Sequence, residues 1–426
     1  MLTISALSSG TAASSRRREC RSAASAPAGQ ILRIDHVVRH SQFRLLTAHY
    51  GLFQLGSALG GGFVGAYLLK LGFSMPVALM AYAALLLARF ALRFVALAVV
   101  RVIGYRGTVM LGAAISATQV LPLMRAEDPT WLIVWIATVS LADSLYWPVY
   151  HSACAVTGSE GSRGRELGLR TAIGAGVGIL GPLVGGILLE RFGPGVGFGL
   201  AAILSVSSIL PILAMSAIPA GPVPSPAGAM RGIDRAGIAT FAADGWMASG
   251  LAIAWPMVLF LSLGAHYEAF GLANAGAGLV GAVAGLICGR AIDRGGRDRY
   301  LVAVAVALTG GFALRACAQW SPFAGTVANA SGAAVMGLYV PVLMSVIYDK
   351  AKLSGSAYRF HFAAEAGWDM GAGMGCILAA LVVWATQIPS LSMLPAMVGV
   401  FAMYRCIRGE SARARSARGG DVLAAG

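Results

Sequence analysis

The sequence predicts an all-α integral membrane protein with twelve transmembrane helices in two pseudo-symmetric six-helix halves. Three observations carry that prediction: the length of the apolar runs, the placement of positive charge between them, and a repeat between the two halves. About twelve stretches reach the roughly 20 apolar residues needed to cross hydrocarbon. Backbone amides left unpaired in lipid are costly, so only helices or a closed barrel can span, and these runs are far too long for barrel strands of about 10 residues. Of the 32 Lys and Arg residues, 26 fall before the first helix, in alternate gaps, or in the final tail. Lys70, Arg125 and Arg191 lie in the other gaps, and Arg89, Arg93 and Arg315 lie within helices. Positive residues resist translocation, which places both termini in the cytoplasm. The expected location is a bacterial inner (plasma) membrane.

Composition supports the same class. A chain that is 57% hydrophobic and 12% charged is far from a soluble domain. Its net charge of +14 reports insertion and contact with anionic lipids, not nucleic-acid binding. The six cysteines avoid the outward gaps, and no CxxC spacing suggests a metal site. No cofactor is expected.

Residues 1–43 are basic, rich in Ser, Ala and Arg, and too poor in apolar surface to fold alone, so they read as a disordered cytoplasmic tail. An acid-poor Ser/Arg composition also fits a transit peptide or an over-extended start. The first six helices occupy 44–217, and the Pro-rich stretch 218–236 is a cytoplasmic linker. The second six helices occupy 237–407, and 408–426 is a basic cytoplasmic tail. A shift of 192 to 194 residues lays Leu145-Tyr146-Trp147-Pro148-Val149 over Leu338-Tyr339-Val340-Pro341-Val342, Gly72 over Gly264, and Gly104 over Gly296. Such duplication is common among secondary transporters.

Between the eighth and ninth helices the chain reads Gly289-Arg290-Ala291-Ile292-Asp293-Arg294-Gly295-Gly296-Arg297. Glycine permits the tight turn, and a carboxylate at a helix amino terminus is favoured by the dipole. This segment resembles the G-x-x-x-D-R-x-G-R cytoplasmic loop of the major facilitator superfamily. There, the network of Gly289, Asp293, Arg294 and Arg297 would latch the cytoplasmic helix ends in one transport state. The matching gap, Arg101 to Arg106, lacks the acid. Tyr146-Trp147-Pro148-Val149-Tyr150-His151 and Gly181-Pro182-Leu183-Val184-Gly185-Gly186 resemble a prokaryotic branch of that superfamily without an assigned substrate.

Charges inside helices are the sharpest functional lead, since each costs about 2.5–3.5 kcal/mol at the bilayer centre. Asp143 lies mid-way along the fourth helix, and Asp244 two turns into the seventh. On the eleventh, His361, Glu365 and Asp369 recur at i, i+4 and i+8 and form one stripe. Arg89 and Arg93 stand one turn apart on the second. The resemblance packs the second and eleventh helices side by side across the halves. Matched depth then pairs Arg93 with Glu365 and Arg89 with Asp369, either as an inter-half gate or as a permanent brace. With those arginines engaged, Asp143 is expected to lack a basic partner and to face the translocation cavity.

Tyr146, Trp147, Trp246, Trp255 and Trp368 are candidates for substrate contact or for core packing. Trp131, Trp320 and Trp384 fall near membrane edges, with Arg315 expected to snorkel outward beside Trp320. Glycines at helical spacing (174, 178, 181 and 185; 278, 281, 285 and 289) fit close packing either across the halves or inside each half.

No Gly-x-x-x-x-Gly-Lys-Ser/Thr phosphate loop is present, which removes ATP-driven pumps of that kind. The expectation is therefore a non-enzyme: a secondary transporter of a small solute by alternating access, coupled to protons through Asp143, Asp244, Glu365 or Asp369, and working in efflux. The competing reading is an intramembrane enzyme or lipid-handling protein using His361, Glu365 and Asp369 as acid, base or metal ligands. A scaffold that moves nothing is a third.

Overall fold

The computed structural model describes residues 28–157, 163–216, 218, 222–229, 235–292 and 297–409. Among the described residues all regular structure is helical. Ten spans among the described residues are long and apolar enough to cross a membrane. In the first half α1 is Ser41–Lys70, α2 and α3 are the two arms of Met75–Leu123, α4 is Pro129–Ala155, α5 is Ala172–Arg191 and α6 is Pro194–Leu213. In the second half α7 is Arg235–Ser262, α8 is Tyr267–Ile287, α9 is the shorter apolar helix Val302–Ala316, and α10 is Pro322–Val340. The last two spans are α11, Ala357–Thr386, and α12, Pro389–Gly409.

The break between α2 and α3 falls at Gly104, whose backbone (φ 71°, ψ 174°) is non-helical and lies where only glycine is comfortable. Dividing there, and counting α9, makes twelve spans among the described residues, consistent with the sequence pattern. Gly72 and Gly264, aligned by the internal repeat, both take positive φ (92° and 74°) and close equivalent turns after α1 and α7. The helix carrying α1 starts at Ala28, so residues 28–43 extend it where an unfolded tail was expected. Elongating an existing helix needs no new nucleus, which lets a weakly apolar segment follow a stable span.

The bundle is organised by a few close helix pairs. The α2–α3 arm packs on α4, α7 on α11, α8 on α10 and α1 on α5. Two further pairs cross between the halves, α5 with α8 and α2 with α11. The glycine series serve both purposes. Gly278 meets the Gly178 carbonyl across the halves, where an added Cβ would lie 2.6 Å away. Gly181 and Gly185 instead admit Ala58 and Leu59 of α1, and Gly281 admits Ala333 of α10, within their own halves.

At the Lys70 end the halves are tied by polar contacts. Arg191 pairs with Glu268 at 2.9 Å, and Glu190 accepts from the Tyr267 backbone N–H at 2.6 Å. Lys70 lies 5.7 Å from the Tyr267 ring centroid. At the Gly104 end the ties are aromatic: Phe94 with Phe362 at 5.6 Å and Tyr105 with Tyr358 at 5.1 Å. There the Arg101 guanidinium also donates to the Pro224 carbonyl of the linker.

The crossing of α5 and α8 gives a direct test of inter-half packing. A Cβ on Gly271 would lie 2.3 Å from the Pro182 carbonyl oxygen, whereas one on Gly276 meets nothing within 4 Å. Gly271→Ala should therefore lower the melting temperature of the purified protein in lipid nanodiscs, and Gly276→Ala should leave it within error. Equal melting temperatures for the two variants would contradict the close approach.

Candidate functional site

Helix α11 presents two opposite faces. Gly367, Gly371 and Gly375 sit against α7, where a Cβ on Gly371 would lie 2.0 Å from the Ala242 carbonyl oxygen. With no side chains between them, the two backbones nearly touch. About half a turn away lie His361, Glu365 and Asp369, all buried. Seating the glycine face on α7 turns the acidic face toward α2 and α4.

There it meets two arginines. Asp369 is fully buried and accepts through Oδ1 from Arg89 and through Oδ2 from Arg93. Arg93 Nη1 also reaches Glu365 Oε2 at 3.3 Å, and Arg89 Nη1 reaches Asp143 Oδ2 at 3.1 Å. The Arg89 guanidinium lies 5.0 Å from the Trp368 ring centroid, where the aromatic quadrupole favours a cation. The two depth-matched pairs are present, yet they are parts of one five-residue cluster.

That geometry corrects the expectation for Asp143, which has a basic partner after all. The reason is the third helix. Ser140 and Ser144 of α4 donate to the Leu85 and Arg89 carbonyls of α2 at 2.8 and 3.0 Å, drawing Asp143 within reach of Arg89. Depth matching along two helices carried no information about a third.

A cavity of about 500 Å³ opens beside the cluster, between α1, α2, α3, α4, α6, α7 and α11. Arg89, Asp143, Trp147, Glu365 and Trp368 form part of its wall, together with His151, Phe53 and Trp135. Other expected site residues lie elsewhere. Asp244 accepts from the Tyr339 hydroxyl at 2.6 Å and from Trp368 Nε1 at 3.0 Å, so it positions a cavity tryptophan from behind. Trp246 donates to the Pro395 carbonyl at 2.8 Å and ties α7 to α12. Tyr146 is buried, stacked 4.0 Å from Phe53, with its hydroxyl 3.0 Å from His49 Nε2. His361 stacks on His151 at 5.5 Å, behind the wall. Among the described residues no group of His, Cys, Asp or Glu could hold a metal ion. In the loop motif, Asp293 and Arg294 lie outside the described residues, and Gly289 and Arg297 belong to the flanking helices.

Sequence reasoning missed His49, Phe53 and Trp135. A histidine inside the apolar first span was a readable signal, because a buried imidazole needs partners; His49 finds them in Tyr146 and in the Ser208 carbonyl at 2.7 Å. Phe53 and Trp135 carry no signal that separates lining from core. Arg315 is a second correction. It does not snorkel beside Trp320 but is buried against the Trp255 ring, 5.0 Å from its centroid. The missing side chain of Gly332 makes the room, since a Cβ there would lie 1.9 Å from Nη2.

Stranding a buried charge costs about 3–5 kcal/mol, so Arg93→Ala should lower unfolding stability by that order. It leaves three carboxyl groups facing Arg89 alone. Adding Asp369→Asn to Arg93→Ala removes the carboxylate that Arg93 held and leaves Arg89 balanced by Asp143, so the double variant should recover part of the loss in the same unfolding assay. A double variant less stable than the single one would mean that the two side chains are not coupled.

The sequence profile of the Major Facilitator Superfamily matches residues 70–364. None of the curated proteins matches the chain. Among solved structures, the D-xylose–proton symporter superposes with a TM-score of 0.64 at 13% identity, covering 87% of this chain and 97% of that one. The human organic anion transporter MFSD10 gives 0.62 at 14% identity, with 86% and 99% covered. The fucose:proton symporter of E. coli gives 0.59 at 14% identity, with 86% and 97% covered. At such identities the likeness is one of fold. With a profile match over more than half of its length, this multi-pass membrane protein belongs to the Major Facilitator Superfamily, a family of membrane transporters.

Proposed function

We propose that the chain is a proton-coupled secondary transporter that moves a small solute by alternating access between its two six-helix halves. The observation that carries this reading is the cavity beside the five-charge cluster. Its wall takes residues from both halves, and the cluster ties α2 to α11 at the same depth. A buried ion pair between halves is a finely balanced contact, since opening the interface exposes it to water, where each ion is well solvated, while removing one charge leaves its partner uncompensated. Alternation then needs a change in the cluster's charge, and a proton on Asp143, Glu365 or Asp369 is the simplest such change. Asp244 has no arginine in reach among the described residues and would act through Trp368. Two of the structural relatives are proton symporters, which supports the coupling ion without identifying the solute.

Acids and tryptophans in the wall suit a cationic or amphipathic solute, and with it export. The loop residues Gly289, Asp293, Arg294 and Arg297 would govern switching at the cytoplasmic ends. Both termini, the linker and the basic tails would face the cytoplasm of a bacterial inner membrane, with anionic lipids against them. The intramembrane-enzyme reading has less support, because His361 sits behind the cavity wall and away from any solute.

Reconstitution tests the proposal. Proteoliposomes holding the full chain should move at least one member of a metabolite and drug panel, faster with an imposed pH gradient than without. Trp147→Ala should raise the apparent KM for that solute, with a smaller effect on the maximal rate. Movement that ignores the gradient would remove proton coupling and leave a uniporter. Topology is checked separately. A cysteine beside Lys70 should react with an impermeant thiol reagent in intact cells, and one beside Arg297 should not; the opposite pattern would invert the orientation.

A further inference from the structure

The cluster does not balance. Among the described residues, three carboxyls (Asp143, Glu365 and Asp369) face two guanidiniums (Arg89 and Arg93). With every group ionised, a buried site carries one surplus negative charge. Buried charges are tolerated when paired, so the surplus needs a compensating cation, and a proton is the one that fits without coordination space.

Geometry decides which carboxyl takes it. Asp369 uses both oxygens, one on each arginine, and gains most from staying ionised. Asp143 accepts from Arg89 and keeps 23% of its side chain exposed to the cavity, where water can solvate the remaining charge. Glu365 has neither advantage. Its single contact, Arg93 Nη1 at 3.3 Å, is the longest in the cluster. Its Oε1 is buried and receives no hydrogen bond among the described residues. An anionic oxygen left there is the costliest of the six; a neutral hydroxyl is cheaper.

Among the described residues the surroundings supply no other compensation. Against Glu365, α2 brings Arg89 and Arg93, while α4 brings Asp143 and His151. α11 itself carries Tyr358, His361 and Asp369, α7 carries Asp244, and α10 carries Tyr339, which is engaged with Asp244. The two imidazoles stack on one another, and a charge on either would be buried. We infer that Glu365 is the proton-carrying residue of this protein, neutral while α2 and α11 are held together by the cluster, and loaded from the cavity whose wall it shares. Proton binding takes the cluster from one surplus negative charge to zero. Proton release restores the surplus and weakens the case for keeping α2 on α11, which is how a proton would reach the inter-half contact. This inference deepens the proton-coupled reading and rests on it.

Infrared difference spectroscopy of the full chain in lipid nanodiscs tests it without a solute. At neutral pH the wild type should show the carbonyl stretch of a protonated carboxyl, sensitive to D2O and lost as pH rises. Substitutions that keep the charge count assign the band: Glu365→Asp should shift its frequency, and Asp143→Glu should leave it in place. Glu365→Gln should abolish it. A band that moves with Asp143→Glu and not with Glu365→Asp would overturn the assignment while leaving proton coupling intact. Absence of any such band in the wild type would overturn it too, and would mean that the surplus is met by something other than a proton. Whether the chain transports at all is judged separately, by flux in proteoliposomes.

Discussion

The requirement that charge buried in a low-dielectric interior be paired organises this molecule, and Asp369 is where it acts most strongly. Fully enclosed, this carboxylate is compatible with the fold only because Arg89 and Arg93 both donate to it. Those arginines reach it only if α2 lies against α11, which are on opposite halves of the protein. The pairing is therefore also a statement about how the halves sit. Gly367, Gly371 and Gly375 contribute from the other side by letting α7 approach so closely that the acidic face has one direction left. Packing and electrostatics here are two views of the same arrangement.

A cluster of this kind is poorly suited to being a passive brace. Buried ion pairs contribute little net stability relative to apolar residues of the same size. Their distinctive property is that changing one charge changes the balance of the whole. Placing such a set at the wall of a 500 Å³ cavity, between halves, gives whatever enters that cavity access to the contact that holds the halves together. The Lys70 end is tied in a different way, by the exposed Arg191–Glu268 pair and by Glu190 under Tyr267, which are weak and readily exchanged for water. The two ends thus differ in the interactions that tie the halves together.

The repeat has a chemical counterpart. Tyr146 and Tyr339 occupy equivalent places in the two halves, and each hydroxyl bonds a polar side chain on the first helix of its own half, His49 in one and Asp244 in the other. The frame is shared while the partner differs, and the cavity lies mainly among helices of the first half. Duplication supplied a common scaffold on which the two halves diverged in polar content.

What the sequence by itself determined was the class, the approximate number of spans and their pairing in halves. Apolar run length and charge placement report directly on insertion, and the repeated Gly72 and Gly264 report on turns that any residue with a Cβ would strain. The i, i+4, i+8 spacing of His361, Glu365 and Asp369 likewise fixed a shared face before any contact was known. Only the tertiary structure decided what that face meets. Asp143 joined the cluster because serines of α4 bond to α2, and Arg315 turned inward because Gly332 leaves space over Trp255. Trp246 and Tyr146 proved to be internal ties, and Phe53 and Trp135 proved to be cavity wall. Spacing along one helix specifies direction relative to that helix alone. Which helix stands in that direction, and how near, depends on the summed packing of the bundle, and no single segment encodes it.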